Sequence, residues 1–117
     1  HLQDVMAQSD IVEKAKRFIC FHIREDLSRD QIAQEVGVNA EYLSRLFKKR
    51  EEKSMIEYIQ EKKIAVAAEL LQTDQSVSDI AVSIGYHNFA YFTQLFKKYT
   101  GQTPSAFKKQ LLQPSEQ

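Results

Sequence analysis

The sequence predicts an all-α fold of seven helices in two similar halves joined by one long helix, and three observations carry that prediction. Apolar residues recur at a period near 3.6 along the chain, with no alternating run of the kind a half-buried strand needs. Helix start signals precede each periodic stretch. One passage is spelled twice: IAQEVGVNAEYLSRLFKK at residues 32–49 returns as IAVSIGYHNFAYFTQLFKK at residues 80–98. Three glycines and two prolines in 117 residues also leave little material for the turns of a β-rich chain.

In chain order, Ile11, Ala15, Phe18, Ile19 and Ile23 form the stripe of a first helix that starts near Ser9 or Asp10. Residues 1–9 are read as a flexible end or linker. Ser28 with Gln31 is a capping box, in which a side-chain oxygen accepts from an orphan N–H of the first turn, and it opens a short second helix through Val36. Asn39 caps a third, over about residues 39–50, with Leu43, Leu46, Phe47 and Tyr42 turned inward. Ser54 with Glu57 opens a long fourth helix, residues 55–72, whose Ile56, Ile59, Ile64, Ala67, Leu70 and Leu71 meet no breaker. Ser76 with Asp79 opens a fifth, and Asn88 caps a sixth over about residues 88–99, with Phe92, Leu95 and Phe96 inward. Thr103 and Pro104 open a seventh, because proline lacks an N–H that the first turn leaves unbonded in any case. Tyr91 and Phe107 are counted with the core.

Composition narrows the function classes. Hydrophobic residues at 43% and charged residues at 27% fit one soluble globular domain. No run approaches the roughly 18 apolar residues of a membrane span, and no charged-then-apolar leader is present, so the expectation is a cytoplasmic chain with no membrane partner. Cys20 is the only cysteine, which excludes a disulfide framework and a thiolate zinc site; it is expected as a small buried hydrophobe. His1, His22 and His87 lie far apart without metal-ligand spacing, and no phosphate-cradling or dinucleotide glycine pattern occurs. Ser44 and Thr93 have no base proposed beside them. The expectation is therefore no metal, no cofactor and no enzyme activity.

The formal net charge is zero, yet its distribution is uneven. Between Asp79 and Glu116 there is no acidic residue, while Lys97, Lys98, Lys108 and Lys109 lie there; Arg45, Lys48, Lys49, Arg50 and Lys53 crowd the end of the first repeat copy. Such clusters suit a polyanion, or simply solvated helix faces.

Aligning the copies pairs Ile32 with Ile80, Ala33 with Ala81 and Gly37 with Gly85 at an offset of 48, then Tyr42 with Tyr91, Leu46 with Leu95, Phe47 with Phe96 and Lys48 with Lys97 at an offset of 49. Apolar identity is kept at core positions and lost outside. A short helix carrying a small alanine, a glycine able to take positive φ and a capped second helix are the parts of a helix-turn-helix, so the fold becomes two helix-turn-helix subdomains joined by a long linker helix. The boundaries are residues 10–54 for the first subdomain, 55–72 for the linker helix, 73–112 for the second and 113–117 for a flexible tail. A linker of about 18 residues is roughly 27 Å long, which suits two second helices set about 34 Å apart, one turn of B-DNA, each entering a major groove on the same face.

The passage IAVSIGYHNFAYFTQLFKKYTGQTPSAFKK, with YIQEKKIAVAAELL at Tyr58 to Leu71, resembles the signature of the AraC/XylS transcription regulators over about residues 10–110. That resemblance implies a bacterial DNA-binding domain with two helix-turn-helix units, a separate sensor or receiver domain in the full-length protein, and contact with RNA polymerase. The sequence departs from the family pattern at Gln94, Lys63 and Lys108, where arginine is usual, at Ala90, where serine is usual, and at Glu52, where glycine is usual.

On the third helix the face opposite the core presents Ala40, Glu41, Ser44, Arg45 and Lys48. Arg45 has the fork that reads guanine, or else pairs with Glu41 one turn back; Glu41 accepts from a cytosine amino group or orients Arg45; Ser44 reaches a base or a phosphate. On the sixth helix Phe89, Ala90, Thr93 and Gln94 face out. Phe89 suits a thymine methyl or packs under the preceding turn, and Gln94 pairs with adenine. Asn39, Lys48, Lys49, His87, Asn88, Lys97 and Lys98 are candidate phosphate contacts, with Asn39 and Asn88 also serving as caps. The alternative from another class is a helical protein-protein interaction module without DNA specificity, which the zero net charge favours.

Overall fold

The computed structural model describes residues 2–112, with side chains from Met6 to Leu111. Among the described residues it is all-α, with seven helices: α1 (Leu2–Phe21), α2 (Arg29–Val36), α3 (Ala40–Glu51), α4 (Met55–Leu70), α5 (Val77–Ser83), α6 (Phe89–Thr100) and α7 (Pro104–Leu112). The expected tail 113–117 lies outside the described residues. The chain divides between Ile59 and Gln60, inside α4, into two compact units.

The caps act where local chemistry places them. Ser28 Oγ accepts from Gln31 N at 3.1 Å, Ser76 Oγ from Asp79 N at 3.1 Å and Thr103 Oγ1 from Ala106 N at 3.2 Å. Ser54 and Glu57 close a complete box, Glu57 N donating to Ser54 Oγ at 3.1 Å and Ser54 N to Glu57 Oε1 at 2.9 Å. Each of these satisfies a donor that the first turn of a helix otherwise leaves without a partner.

In the first unit α1 packs on both α2 and α3, and α2 on α3. The core holds Val12, Ala15, Ile19, Ile32, Ala33, Leu43, Leu46 and Phe47, with Met55, Tyr58 and Ile59 from the start of α4. In the second unit α6 packs on α5 and α7, and the core holds Ile64, Ala67, Leu71, Ile80, Ala81, Ile84, Phe92, Leu95 and Phe96. Ala33 and Ala81 are buried at matching places, where their single methyl lets the short helix approach its neighbours. Gly37 and Gly85 both sit at positive φ, 86° and 96°, as the turn of each copy requires.

Several expectations need correction. α1 starts at Leu2 and not at Ser9 or Asp10, because no glycine or proline interrupts residues 2–21 and the helix formers Met6, Ala7 and Gln8 carry the turn past both start signals. Residues 2–9, expected as a flexible end, are thus helical. Cys20 is exposed, one residue beyond the buried Ile19, with Sγ 3.8 Å from Tyr58 Oη. Ile56 is 62% exposed, since α4 turns Met55 and Ile59 inward and puts Ile56 on the opposite side. Tyr42 and Tyr91 lie at the margin of their cores, 36% and 44% exposed, each one position before the fully buried Leu43 or Phe92 and so turned about 100° from it. α4 ends at Leu70, two residues early: Thr73 Oγ1 takes up the Leu70 carbonyl at 2.6 Å, and Lys108 Nζ caps the turn by donating to the carbonyls of Thr73 and Gln75, both at 2.9 Å.

Candidate nucleic-acid interface

Each unit exposes the second helix of its helix-turn-helix. In the first, Asn39 Oδ1 accepts from Glu41 N at 2.8 Å and Tyr42 N at 3.1 Å, so its side chain is engaged as the cap. Leu43, Leu46 and Phe47 lock one side of α3 into the core. The helical repeat then forces Glu41, Arg45 and Lys48 to the opposite side, where they are exposed, with Ala40 and Ser44 half-buried beside them. Lys49 and Arg50 continue the basic stretch in the last turn, where cations also suit the negative end of the helix. Among the described residues no ion pair joins Arg45 to Glu41.

Glu51, the carboxylate nearest these cations in sequence, is drawn away from them. Lys16 of α1 holds it at 3.1 Å and also reaches Glu13 at 3.4 Å. The hydrogen bond to Glu51 keeps the Lys16 ammonium charged to higher pH than usual. Among the described residues no ion pair joins Glu51 to Lys48, Lys49 or Arg50.

In the second unit Asn88 Oδ1 accepts from Tyr91 N at 3.0 Å, and Phe92, Leu95 and Phe96 anchor α6. Phe89, Ala90, Gln94, Lys97 and Lys98 are exposed together with His87, and Thr93 is half-buried. Thr93 Oγ1 donates to the Phe89 carbonyl at 3.0 Å, so its proton is engaged and only the lone pairs of the oxygen remain. Phe89 is 46% exposed while its ring lies 6.4 Å from that of Phe92, which places it at the junction of core and surface. α6 has no acidic residue in its first turn and carries Lys97 and Lys98 in its last. Lys98 Nζ lies 5.3 Å from the centre of the Tyr99 ring.

The structure brings each half of the expected set onto one helix face in its own unit: Ala40, Glu41, Ser44, Arg45 and Lys48 in the first, and Phe89, Ala90, Thr93, Gln94 and Lys97 in the second. The supporting roles of two residues escaped the sequence reading. Lys63 is 6% exposed and donates to the Ile84 carbonyl at 2.9 Å, with Nζ 5.9 Å from the Tyr86 ring centre, bracing the turn that leads into α6. Gln60 bridges two tyrosines, its Nε2 donating to Tyr91 Oη and its Oε1 accepting from Tyr99 Oη, both at 3.0 Å. The sequence marked Lys63 only as a lysine where the AraC/XylS pattern has arginine, with no sign of its burial; nothing there marked Gln60. Among the described residues no group of His, Cys, Asp or Glu could hold a metal ion, and no helix is long and apolar enough to cross a membrane.

Comparison with known proteins points the same way. The family described as Helix-turn-helix domain matches residues 32–110. The chain is 34% identical over 105 residues to the bifunctional transcriptional activator/DNA repair enzyme AdaA of Bacillus subtilis, covering 89% of this chain but 50% of that protein. It is 30% identical over 107 residues to the regulatory protein SoxS of Salmonella typhimurium, covering 91% of this chain and all of SoxS. Among solved structures, a transcriptional regulator from Chromobacterium violaceum, of the proteins containing an AraC-type DNA-binding domain, superposes with a TM-score of 0.84 at 29% identity over 94% of this chain and 99% of that one. The chain spans about half the length of AdaA and the full length of SoxS. With its matched, capped pair of helix-turn-helix units, the chain belongs to the AraC/XylS family of helix-turn-helix transcription regulators.

Proposed function

We propose that the chain binds a specific double-stranded DNA sequence by placing α3 and α6 in two successive major grooves, as the DNA-binding part of a bacterial transcription regulator. The observation that carries this reading is the duplication itself: two capped second helices bury apolar residues at three matching positions and differ at the outer pairs Ala40/Phe89, Glu41/Ala90, Ser44/Thr93 and Arg45/Gln94. A core repeated with unlike outer residues suits two half-sites of different sequence in one chain, without the palindrome a symmetric dimer demands. Arg45 reads guanine, Gln94 adenine and Phe89 a thymine methyl; Glu41, Ser44, Ala40, Ala90 and Thr93 complete the base-facing surfaces. Lys48, Lys49, Lys97, Lys98 and His87, with Asn39 and Asn88 at the caps, face phosphates, giving affinity and salt dependence with little sequence information.

The same reading places the chain in the cytoplasm, gives it no catalytic role of its own, and assigns its control to a sensor or receiver domain and its output to contact with RNA polymerase. Selection of bound duplexes from a random pool at two salt concentrations tests it. A shared bipartite sequence whose affinity falls steeply with salt is expected. Weak binding without sequence preference would leave the protein-interaction module, which the zero net charge favours, as the better account.

A further inference from the structure

On α3, Tyr42, Arg45, Leu46 and Lys49 follow the spacing i, i+3, i+4, i+7, so they share one strip about a quarter-turn round the helix from the outermost residues Glu41 and Lys48. α1 brings Gln8 to this strip, and the five residues line an open surface hollow of about 290 Å³. Leu46 is buried at its floor; Arg45, Lys49 and Tyr42 stand exposed around it, and Gln8 is half-buried. Two cations, an amide and a phenol line it, and no carboxylate does.

The second unit has the same amide and phenol with a different outcome. Tyr91, the counterpart of Tyr42, receives its hydrogen bond from Gln60 of α4, and Gln60 is further occupied by Tyr99. At the Arg45 position stands Gln94, leaving Lys98 as the counterpart of Lys49. One copy closes the arrangement upon itself, and the other leaves it open and more strongly charged.

A helix lying in a major groove has a sugar-phosphate strand along each flank, so a flank strip rich in donors faces phosphodiester oxygens and not base edges. We infer that Gln8, Tyr42 and Lys49, with Arg45 on the shared edge, form a subsite for one DNA backbone phosphate that sets the register of α3 in its groove. The inference rests on the DNA-binding reading above. Gln8 and Tyr42 add neutral donors and Lys49 a charge-assisted one, while Arg45 lends its charge from the edge and keeps its fork for the base, a combination that grips a phosphodiester in a fixed place. The first unit thus has a fixed backbone anchor that the second lacks.

The test uses the duplex selected by the wild-type chain, synthesised as a set in which each phosphate in turn is replaced by a neutral methylphosphonate. One position beside the half-site of α3 should weaken wild-type binding about tenfold. Gln8→Ala should weaken binding to the unmodified duplex about three- to tenfold and respond measurably less than wild type to that one replacement, Lys49 and Arg45 keeping the rest of the effect. Gln8→Glu, which sets a carboxylate against the phosphate, should weaken binding more than tenfold, and Gln8→Lys should restore or tighten it. All three replacements suit a half-exposed helical position. Equal affinity of wild type, Gln8→Ala and Gln8→Glu for the duplex, or a methylphosphonate effect that Gln8→Ala leaves unchanged, would overturn the subsite while the DNA-binding reading stands. Failure of the wild-type chain to select any duplex would overturn both.

Discussion

Glu52 closes α3 in the left-handed conformation, φ 61° and ψ 20°, with its N–H donating to the Lys48 carbonyl. Its counterpart at the end of α6 is Gly101, at φ 84° and ψ −2°, bonded in the same way to Lys97. Glu52 is the only non-glycine residue at positive φ among those described. A Cβ costs about 1–2 kcal/mol in this region, and glycine's greater freedom in the unfolded chain returns roughly 0.5–1 kcal/mol of that difference. Glu52→Gly should therefore stabilise the first unit by about 0.5–1 kcal/mol relative to Glu52→Ala, which removes the same carboxylate but keeps the Cβ. Gly101→Ala supplies the mirror experiment. A Cβ built there meets nothing within 4 Å, so only the backbone conformation opposes it and the loss should match the gain in size. Urea denaturation followed by circular dichroism measures both, with melting shifts of about 3–5 °C in opposite directions. If Glu52→Gly were no more stable than Glu52→Ala, backbone strain would not be what the two helix ends differ by.

Other predictions concern the buried braces and the reading residues. Lys63→Met should destabilise the second unit by about 1.5–3 kcal/mol, because the Ile84 carbonyl loses a charge-assisted donor in a buried place, while Lys63→Arg keeps most of the stability; denaturant titration of both variants decides it. Burial pushes the Tyr86 phenol up to about 12, so the folded state favours the neutral form, and that stability is intact below pH 10 and lost as pH rises from 10 towards 12; Tyr86→Phe should flatten this stretch of a stability-against-pH curve. Arg45→Ala should lower affinity for the selected duplex by about 1–3 kcal/mol and blur one base position in a repeated selection. Lys97→Ala should weaken all duplexes alike and reduce the salt slope by about one, as titrations at several salt concentrations would show.

Much of the fold was legible because its determinants are local. Ser28, Asn39, Ser54, Ser76, Asn88 and Thr103 satisfy N–H groups within three residues of themselves, and such bonds can be read from spacing alone. The outward faces of α3 and α6 follow from the same periodicity, since fixing Leu43, Leu46 and Phe47 inside leaves one place for Arg45 and Lys48. What escaped depends on contacts between distant residues. Cys20 and Ile56 sit at the edges of apolar stripes, where one residue's rotation separates interior from solvent and only the packed neighbour decides. Lys63 is tolerated in the interior because a carbonyl 21 residues away accepts its hydrogen bond, and Lys108 leaves the basic surface to cap a turn 33 to 35 residues upstream. The start of α1 was missed for another reason: Ser9 and Asp10 have the chemistry of caps, but good helix formers before them make continuation cheaper than a stop.

Footprinting of the wild-type chain on its selected duplex bears most directly on the central claim that one chain reads two grooves. Two protected segments centred one helical turn apart, with Arg45→Ala disturbing only one and Gln94→Ala only the other, are the predicted result. A single protected segment, or one that responds equally to both substitutions, would contradict it.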